Sequence, residues 1–297
     1  MKKFFFILLL SFFLSGCWKK VDDIRLDENP RKAVLSGILK AKDSVTVFLG
    51  RVVGIYEDAD NDYFLPDRPV VLFDNDILVD TLMHNVSGFY TSPYQIAAGH
   101  TYRLEVDAGE YGRLQATTVV PPDVPVHIED SRVIMRRGDS VIKITYRIDD
   151  PPGRGDAYMF ELYQSHPYHS GESVYLYPLD ISDQDPQLQA EPVNQHIFFR
   201  EGLGIILSDQ AFDGQHTLVT VFYNRLGGDF RLPEVMPHTW HLDRYFYEYL
   251  LYRCTYTSQS DQIPVGIMEY MNPEGNVEGG YGFVGSATIR VDTVRLH

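Results

Sequence analysis

The stretch Val70-Val71-Leu72-Phe73-Asp74-Asn75-Asp76 ends in a polar turn and leads into a second apolar run at 77–83. β-Branched and aromatic residues favour strands, while Asp and Asn favour the turns between them. The same pattern recurs from residue 33 to residue 120. It predicts seven strands, at 33–39, 45–55, 70–73, 77–83, 89–94, 102–106 and 114–120. Short strands at this spacing are typical of an antiparallel β-sandwich.

A proline-rich segment, Pro121-Pro122-Asp123-Val124-Pro125, interrupts this pattern. Proline lacks the backbone N–H that a sheet ladder needs, so we place a linker at 121–125 between two domains. Residues 126–297 then form a second β-rich domain. Its predicted strands are at 133–135, 141–148, 157–163, 173–177, 196–199, 204–207 and 217–223, with a final core strand within 281–291. The fold class is therefore mostly β.

The N-terminal sandwich, 33–120, resembles a known type of surface module. Segments 70–76, 87–90 and 98–106 are similar to the prealbumin-like, Ig-like sandwiches of many surface proteins. That resemblance implies a domain that supports or binds rather than catalyses.

One segment, 242–257, has helical periodicity. Four tyrosines recur at spacings of four, three and four: Tyr245, Tyr249, Tyr252 and Tyr256. A neighbouring stripe is apolar: Leu242, Phe246, Leu250 and Cys254. A helix that is apolar over most of its circumference must be largely covered, which predicts a buried Tyr-rich helix on the second sheet. The alternative is an exposed tyrosine face that binds sugars or a partner.

The start of the chain has the features of an export signal, with Lys2 and Lys3 before a run at 4–14 that is apolar apart from Ser11. This run is too short to span a membrane, which needs ~20 residues. Leu14-Ser15-Gly16-Cys17 resembles the lipobox of bacterial lipoproteins. The resemblance implies a signal peptide at 1–16, diacylation of Cys17, and a lipidated tether at 17–32. The alternative is a secretory signal that contains a cysteine by coincidence.

The composition limits which covalent cross-links and which partners the chain can have. Cys254 is the only other cysteine, so a lipidated chain has no intramolecular disulfide and its core must hold the fold. The chain has 26 Lys and Arg against 41 Asp and Glu, a formal net charge of −15. This acidity argues against nucleic acid and anionic lipid surfaces as partners.

An acidic loop at 57–62 is a candidate calcium site. Asp58, Asp60 and Asp62 offer oxygen ligands of the kind that calcium prefers. The loop departs from an EF-hand, because Tyr63 stands where glycine is needed and Pro69 where a bidentate glutamate belongs. The alternative is a solvated acidic hairpin tip.

Two histidine pairs have the spacing of metal ligands. His166 and His169, and likewise His238 and His241, are three residues apart and would need a carboxylate to complete a site. Neither pair belongs to an HExxH motif, and Pro167 disfavours a helix at the first pair. We therefore interpret them as ordinary loop and cap histidines.

Several motifs in order resemble a Bacteroidota lipoprotein family called domain of unknown function 4249. They are the lipobox, the sandwich ending in Pro121-Pro122, the segments at 149–153 and 207–214, the tyrosine helix and the glycine-rich approach to the last strand. The resemblance implies an outer-membrane lipoprotein, often found with TonB-dependent transporters.

Local enzyme signatures are absent from the sequence, which has no GxSxG, no HExxH, no phosphate loop with its lysine and no paired-cysteine metal motif. The sequence therefore predicts a non-catalytic, lipid-anchored outer-membrane lipoprotein that binds a ligand or a β-barrel partner, with calcium as the one candidate cofactor. Two alternatives stay open. One is a surface adhesin or glycan-binding module, and the other is a hydrolase whose carboxylate pair meets only in the fold.

Overall fold

The structure is a computed structural model that describes residues 32–53, 63–123, 125–153, 155–167, 174–179, 181–184, 197–199, 204–224, 234–259 and 275–296. Side chains are described in these ranges except at 165–167, 174–177, 181–184, 197–199, 211 and 254–259. Strands dominate, and the fold class is mostly β with one long helix, as the sequence predicts.

All seven strands predicted before the proline-rich segment are present. They are β1 (Ala33–Lys40), β2 (Val45–Arg51), β3 (Val70–Asp74), β4 (Ile77–His84), β5 (Phe89–Ser92), β6 (Thr101–Asp107) and β7 (Arg113–Val119). Period-two alternation gives β3 one buried face, because Val70 and Leu72 are buried while Val71 and Phe73 are half-buried. Strand β4 pairs with β3 along most of its length and with β5 only at Met83 and His84.

Twelve further strands follow. They are β8 (Val126–Arg136), β9 (Asp139–Asp149), β10 (Ala157–Pro167), β11 (Val174–Pro178), β12 (Ile181–Gln184), β13 (Ile197–Phe199), β14 (Gly204–Ser208), β15 (His216–Asn224), β16 (Glu234–Leu242), β17 (Val277–Glu278), β18 (Val284–Val291) and β19 (Val294–Arg295). Two short 3-10 turns are at Gly109–Tyr111 and Asp209–Ala211. The helix, α1, spans Arg244–Gln259, within two residues of its predicted ends.

The strands form two sheets. The larger runs β13-β14-β10-β16-β18-β1-β2-β5-β4-β3-β6-β7-β17, with β11 beside β10 and β19 beside β16; the smaller runs β12-β15-β9-β8. The smaller sheet packs on β10, β14 and β16 around one apolar core. Helix α1 packs on the opposite face of the same strands around another. Strand β10 alternates between these cores, because Tyr158 and Phe160 face the first and Ala157 and Met159 the second.

The end of the chain returns to the N-terminal core. Val277 and Val284 join the apolar cluster formed by strands β1 to β7, and β18 pairs in parallel with β1. Strand β17 adds to the far edge beside β7. The final core strand predicted at 281–291 therefore links the two parts of the larger sheet. The domain boundary at 121–125 stays a prediction.

The sequence analysis placed no strand at 234–242, where β16 contains Pro237, a residue that argues against a central strand. The structure shows how this proline is tolerated. The Pro237 carbonyl accepts from the backbone N–H of Asp292, so the proline nitrogen also faces the gap between β18 and β19. Because the regular strand pairing is interrupted at that gap, β16 needs no backbone N–H group there to donate a hydrogen bond.

Asp243 fixes the start of helix α1 and was also missed by the sequence analysis. One carboxylate oxygen accepts from the backbone N–H of Phe246 at 2.8 Å, as an N-cap does, and the other accepts from the Thr118 hydroxyl at 2.5 Å. Its own N–H donates to the Ser286 carbonyl. Burial raises the pKa of the Asp243 carboxyl, against the lowering effect of these hydrogen bonds. Asp243 thus joins α1 to β7 and β18.

Helix α1 is buried on one face rather than all round. Phe246 and Leu250 are buried, whereas Tyr245, Tyr249 and Tyr252 are half-buried. The helix is thus largely covered, as the sequence predicts, with the apolar stripe against the sheet and the three described tyrosines partly exposed beside it. Within the described residues, no helix combines the length and hydropathy that a membrane span requires.

Candidate functional site

The lipidation residue and the calcium ligands of the sequence analysis fall outside the described residues. These are Cys17 and the loop carboxylates Asp58, Asp60 and Asp62. Lipid attachment and calcium binding both stay predictions.

The structure does not bring His238 and His241 together. Both lie in strand β16, where residues three apart point to opposite faces of the sheet. His238 packs against the Tyr163 ring at 4.4 Å between centroids, and burial lowers its pKa. They are strand residues rather than loop or cap residues. Of the other pair, His166 lies in β10 and His169 lies outside the described residues.

Of the four predicted tyrosines, Tyr249 lines an open groove between α1 and the outer face of β1, β2 and β5. The groove volume is about 330 Å³. Ser36 and Ile38 of β1 and Thr46 of β2 also line it. Tyr245 and Tyr252 do not line this groove, and the Tyr256 side chain lies outside the description.

Aromatic rings form the two sides of this groove. On the helix side, Tyr249 stacks on Phe283 with centroids 4.1 Å apart and an interplanar angle of 20°. On the strand side, Phe48 packs edge-on against Phe89 at 5.6 Å. Phe89 is 46% exposed, so apolar surface faces solvent there. Arg253 of α1 also lines the groove, with its guanidinium 5.9 Å from the Tyr249 ring centroid.

A second concentration of reactive groups is a cluster of three carboxylates, Asp150, Asp156 and Asp209, with candidate ligand oxygens within 4.8 Å of one another. Asp150 follows β9, Asp156 precedes β10 and Asp209 follows β14. Asp150 is already an acceptor, at 2.6 Å from the Tyr158 hydroxyl and 2.9 Å from the Gly214 backbone N–H.

Protein donors also hold the other two carboxylates. Gly155 donates its backbone N–H to both oxygens of Asp209, at 3.0 and 3.2 Å. His241 places Nε2 at 2.6 Å from an Asp156 oxygen and Nδ1 at 2.9 Å from the Pro122 carbonyl. Both ring nitrogens therefore lie at hydrogen-bond distance from oxygen atoms of the protein. The oxygens that a cation would need thus serve as hydrogen-bond acceptors within the fold.

Asp209 is the most deeply buried carboxylate of the cluster, with 0% of its surface exposed. Burial raises the pKa of the Asp209 carboxyl, and the neighbouring charges of Asp150 and Asp156 raise it further. A raised pKa means that the fold favours the protonated acid. Chemically, the cluster acts as a buried hydrogen-bonded junction between the ends of three strands.

Sequence analysis quoted both segments that build this cluster, 149–153 and 207–214, but only as marks of a family resemblance. The sequence model of a family described as "Domain of unknown function (DUF4249)" matches residues 21–293. The chain belongs to this family.

Comparison with known proteins adds little beyond DUF4249 membership. No curated protein matches the sequence. One similar solved structure is that of a Corynebacterium diphtheriae protein described as membrane anchored, at 11% identity and a TM-score of 0.20, covering 72% of this chain and 55% of that one. Another is the collagen adhesin of S. aureus, at 9% identity and a TM-score of 0.23, covering 88% and 93%. Similarities this weak do not assign an activity.

The raised pKa of Asp209 makes a prediction about stability. The Asp209 carboxyl contributes fully to the free energy of unfolding below its pKa in the unfolded chain, which is near the ordinary value of 3.8. This contribution is lost as the pH rises through the higher pKa of the same carboxyl in the folded protein. Asp209→Asn keeps an acceptor for Gly155 and removes the charge. We expect the variant to be more stable than the wild type at pH 7 by about 1 kcal/mol, with the gain vanishing below about pH 4. Thermal melts across this pH range measure it.

Asp139→Asn is the matched control, because Asp139 is an exposed carboxylate in the β8–β9 turn region. It should leave the melting temperature unchanged. The melts are run with and without a chelator. A lower melting temperature for Asp209→Asn, seen only when calcium is present, would instead indicate a cation held by the cluster and contradict the repulsion argument.

Proposed function

We propose that this DUF4249 chain is a non-catalytic, lipid-anchored lipoprotein of the outer membrane that binds a ligand or a β-barrel partner as an accessory of TonB-dependent transport. The observation that carries the proposal is Cys17, which directly follows Leu14-Ser15-Gly16 and a short apolar run. Two acyl chains hold a protein firmly at a membrane, because each buried methylene contributes about 0.8 kcal/mol. The mixed charges of 18–32 suit a solvated tether.

The aromatic groove supports a binding role. Small-molecule sites are concave, largely apolar and oriented by a few polar groups, and the surface between α1 and β1, β2 and β5 has these properties. The groove is lined by Tyr249. This residue belongs to the tyrosine stripe that the sequence analysis named as a candidate binding face.

Two alternatives have less support from the described residues. A glycan-binding adhesin needs open ring faces, but Phe283 covers one face of Tyr249. A glycosidase needs carboxyl groups about 5–5.5 Å or 6.5–9.5 Å apart beside a cleft. Asp150 and Asp209 are buried and accept hydrogen bonds from Tyr158 and Gly155.

The lipid anchor is tested on the native protein. We expect intact-mass analysis to find Cys17 as the first residue, with the added mass of a diacylglycerol on its sulfur. We also expect the native protein to partition into the detergent phase. The control is Cys17→Ser, exported behind a cleavable secretory signal, which should move to the aqueous phase.

The partner is tested in the same solubilised membranes. Affinity capture of the lipidated chain should recover a β-barrel protein in stoichiometric amount, and capture from cells that make the Cys17→Ser chain should recover less. An unmodified sulfhydryl at Cys17 would remove the anchor from the proposal. Recovery of the lipoprotein without a barrel would remove the transport role.

A further inference from the structure

Two histidines from distant parts of the sequence meet at one aspartate on the smaller sheet. Oδ1 of Asp149 lies 2.8 Å from Nδ1 of His216, and Oδ2 lies 3.4 Å from Nε2 of His127. We propose that these three side chains bind a divalent transition-metal ion of the zinc type. This inference goes beyond the proposed function, because the site uses none of the groove residues and needs no lipid at Cys17.

The register of three neighbouring strands brings the three residues together. His216 of β15 is the direct cross-strand partner of Asp149 of β9. His127 of β8 pairs with Arg147, which lies two residues before Asp149 on the same face of β9. The backbone N–H of Asp149 also donates to the Pro125 carbonyl at 3.1 Å, which ties the start of β8 to the end of β9. The sheet therefore positions the ligands before an ion binds.

The three side chains lie on the outer face of the smaller sheet. Val126 and Ile148, the chain neighbours of His127 and Asp149, belong to the apolar core beneath that sheet. His127 and His216 are exposed, and Asp149 is half-buried. Exposed imidazole side chains can change rotamer, so both rings can turn towards an ion held by the carboxylate.

Two imidazoles and one carboxylate form a ligand set for zinc rather than for calcium. Zn²⁺ binds His nitrogen and Asp oxygen at about 2.0–2.2 Å in a tetrahedron, which places neighbouring ligand atoms about 3.3 Å apart. The two separations between Asp149 oxygens and imidazole nitrogens, 2.8 and 3.4 Å, are close to this spacing. Calcium instead takes about six to eight oxygen ligands. Three protein ligands leave the fourth position of a zinc ion open to water.

The charges around the Asp149 carboxylate are compatible with a cation. Arg147 donates from Nε to Oδ1 of Asp149 at 3.1 Å and from Nη1 to Glu129 at 2.5 Å. The Glu129 carboxylate offsets the guanidinium charge, so Asp149 still supplies a net negative charge. Glu129 lies at the bulge of β8 between Ile128 and Asp130, and bulges re-aim side chains. Arg147 thus orients the carboxylate, as hydrogen-bond partners of metal ligands commonly do.

The test uses the chain from residue 17 to residue 297, with Cys17→Ser so that neither a lipid nor that thiol takes part. The protein is stripped with EDTA and then titrated with Zn²⁺ in competition with a chromophoric chelator of micromolar affinity. We expect saturable binding that millimolar Ca²⁺ does not displace. Nitrogen NMR spectra of the imidazoles should identify the ring nitrogens of His127 and His216 that face Asp149 as the ligands.

Three variants test the ligand set. His127→Ala and His216→Ala should each weaken Zn²⁺ binding at least about tenfold. Asp149→Asn keeps an acceptor for Arg147 but loses the charge, and it should weaken binding by a similar factor. Both histidines are exposed, so their variants should melt at the wild-type temperature in EDTA.

His100→Ala is the matched control, because Nδ1 of His100 also lies 2.8 Å from an aspartate oxygen. That aspartate is Asp74, whose other oxygen accepts from the hydroxyls of Tyr94 and Tyr102. This substitution removes one imidazole from a histidine–aspartate pair on the other sheet. It should leave the Zn²⁺ affinity unchanged.

Four results would overturn the inference. Failure of the wild type to take Zn²⁺ from the chelator would leave the three residues as an ordinary surface ion-pair network. An unchanged affinity in either histidine variant would remove that imidazole from the site. A loss of affinity in Asp209→Asn that is absent from the histidine variants would assign the ion to the buried carboxylate cluster. An equal loss in His100→Ala would indicate binding by surface imidazoles in general.

Discussion

Gly282→Ala should lower the stability of the fold by at least about 3 kcal/mol. Gly282 has a φ of +110°, which L side chains rarely adopt, and a methyl group there would lie 2.0 Å from the Leu35 carbonyl oxygen. The backbone cannot move away, because Tyr281 and Phe283 on either side are hydrogen-bonded to β1. The expected fall in melting temperature is about 6–12 °C. Thermal and chemical denaturation of the variant measure it.

Gly138→Ala is the control that separates the two causes. Gly138 has a φ of +97°, but nothing lies within 4 Å of a Cβ placed on it. Gly138→Ala should therefore lower the free energy of unfolding only by the strain of the backbone conformation, about 1 kcal/mol. The difference in the free energy of unfolding between the two variants measures how closely residues 281–283 approach β1. Equal losses at both positions would show that this approach is not tight.

Local patterns in the sequence predicted most of the strands. In β2, Val45, Val47 and Leu49 are buried while Thr46 is exposed, which is the alternation that marks a strand with one covered face. The helix was found for the same reason, since Phe246 and Leu250 recur at helical spacing. The residues that form each of these patterns lie within a few positions of one another. Such patterns can therefore be recognised in a single sequence.

Contacts between distant residues left no such local signal. Asp243 and Thr118 are 125 positions apart, and nothing near either residue reveals their hydrogen bond. The carboxylates Asp150 and Asp209 meet because β9 and β14 end at the same place. The groove likewise needs β1, β5 and α1 together. The sequence analysis identified one residue of this lining, Tyr249. The rings on the opposite side come together only through strand pairings that the fold supplies.

Asp243→Ala is the second substitution with a large expected effect. It removes the N-cap acceptor of α1, which is worth about 1 kcal/mol. It also leaves the buried Thr118 hydroxyl with the Ser286 hydroxyl, at 2.8 Å, in place of two partners, which costs about 1 kcal/mol more. We expect a loss of about 2 kcal/mol in the free energy of unfolding. Urea denaturation followed by circular dichroism measures it.

Asp243→Asn distinguishes the hydrogen bonds from the charge. The amide oxygen can still accept from Phe246, and the amide nitrogen can donate to Thr118, while the charge that burial disfavours is gone. Its stability should therefore stay within about 1 kcal/mol of the wild type. Equal loss of stability in both variants would mean that ionised Asp243, rather than its geometry, holds the helix against β7 and β18.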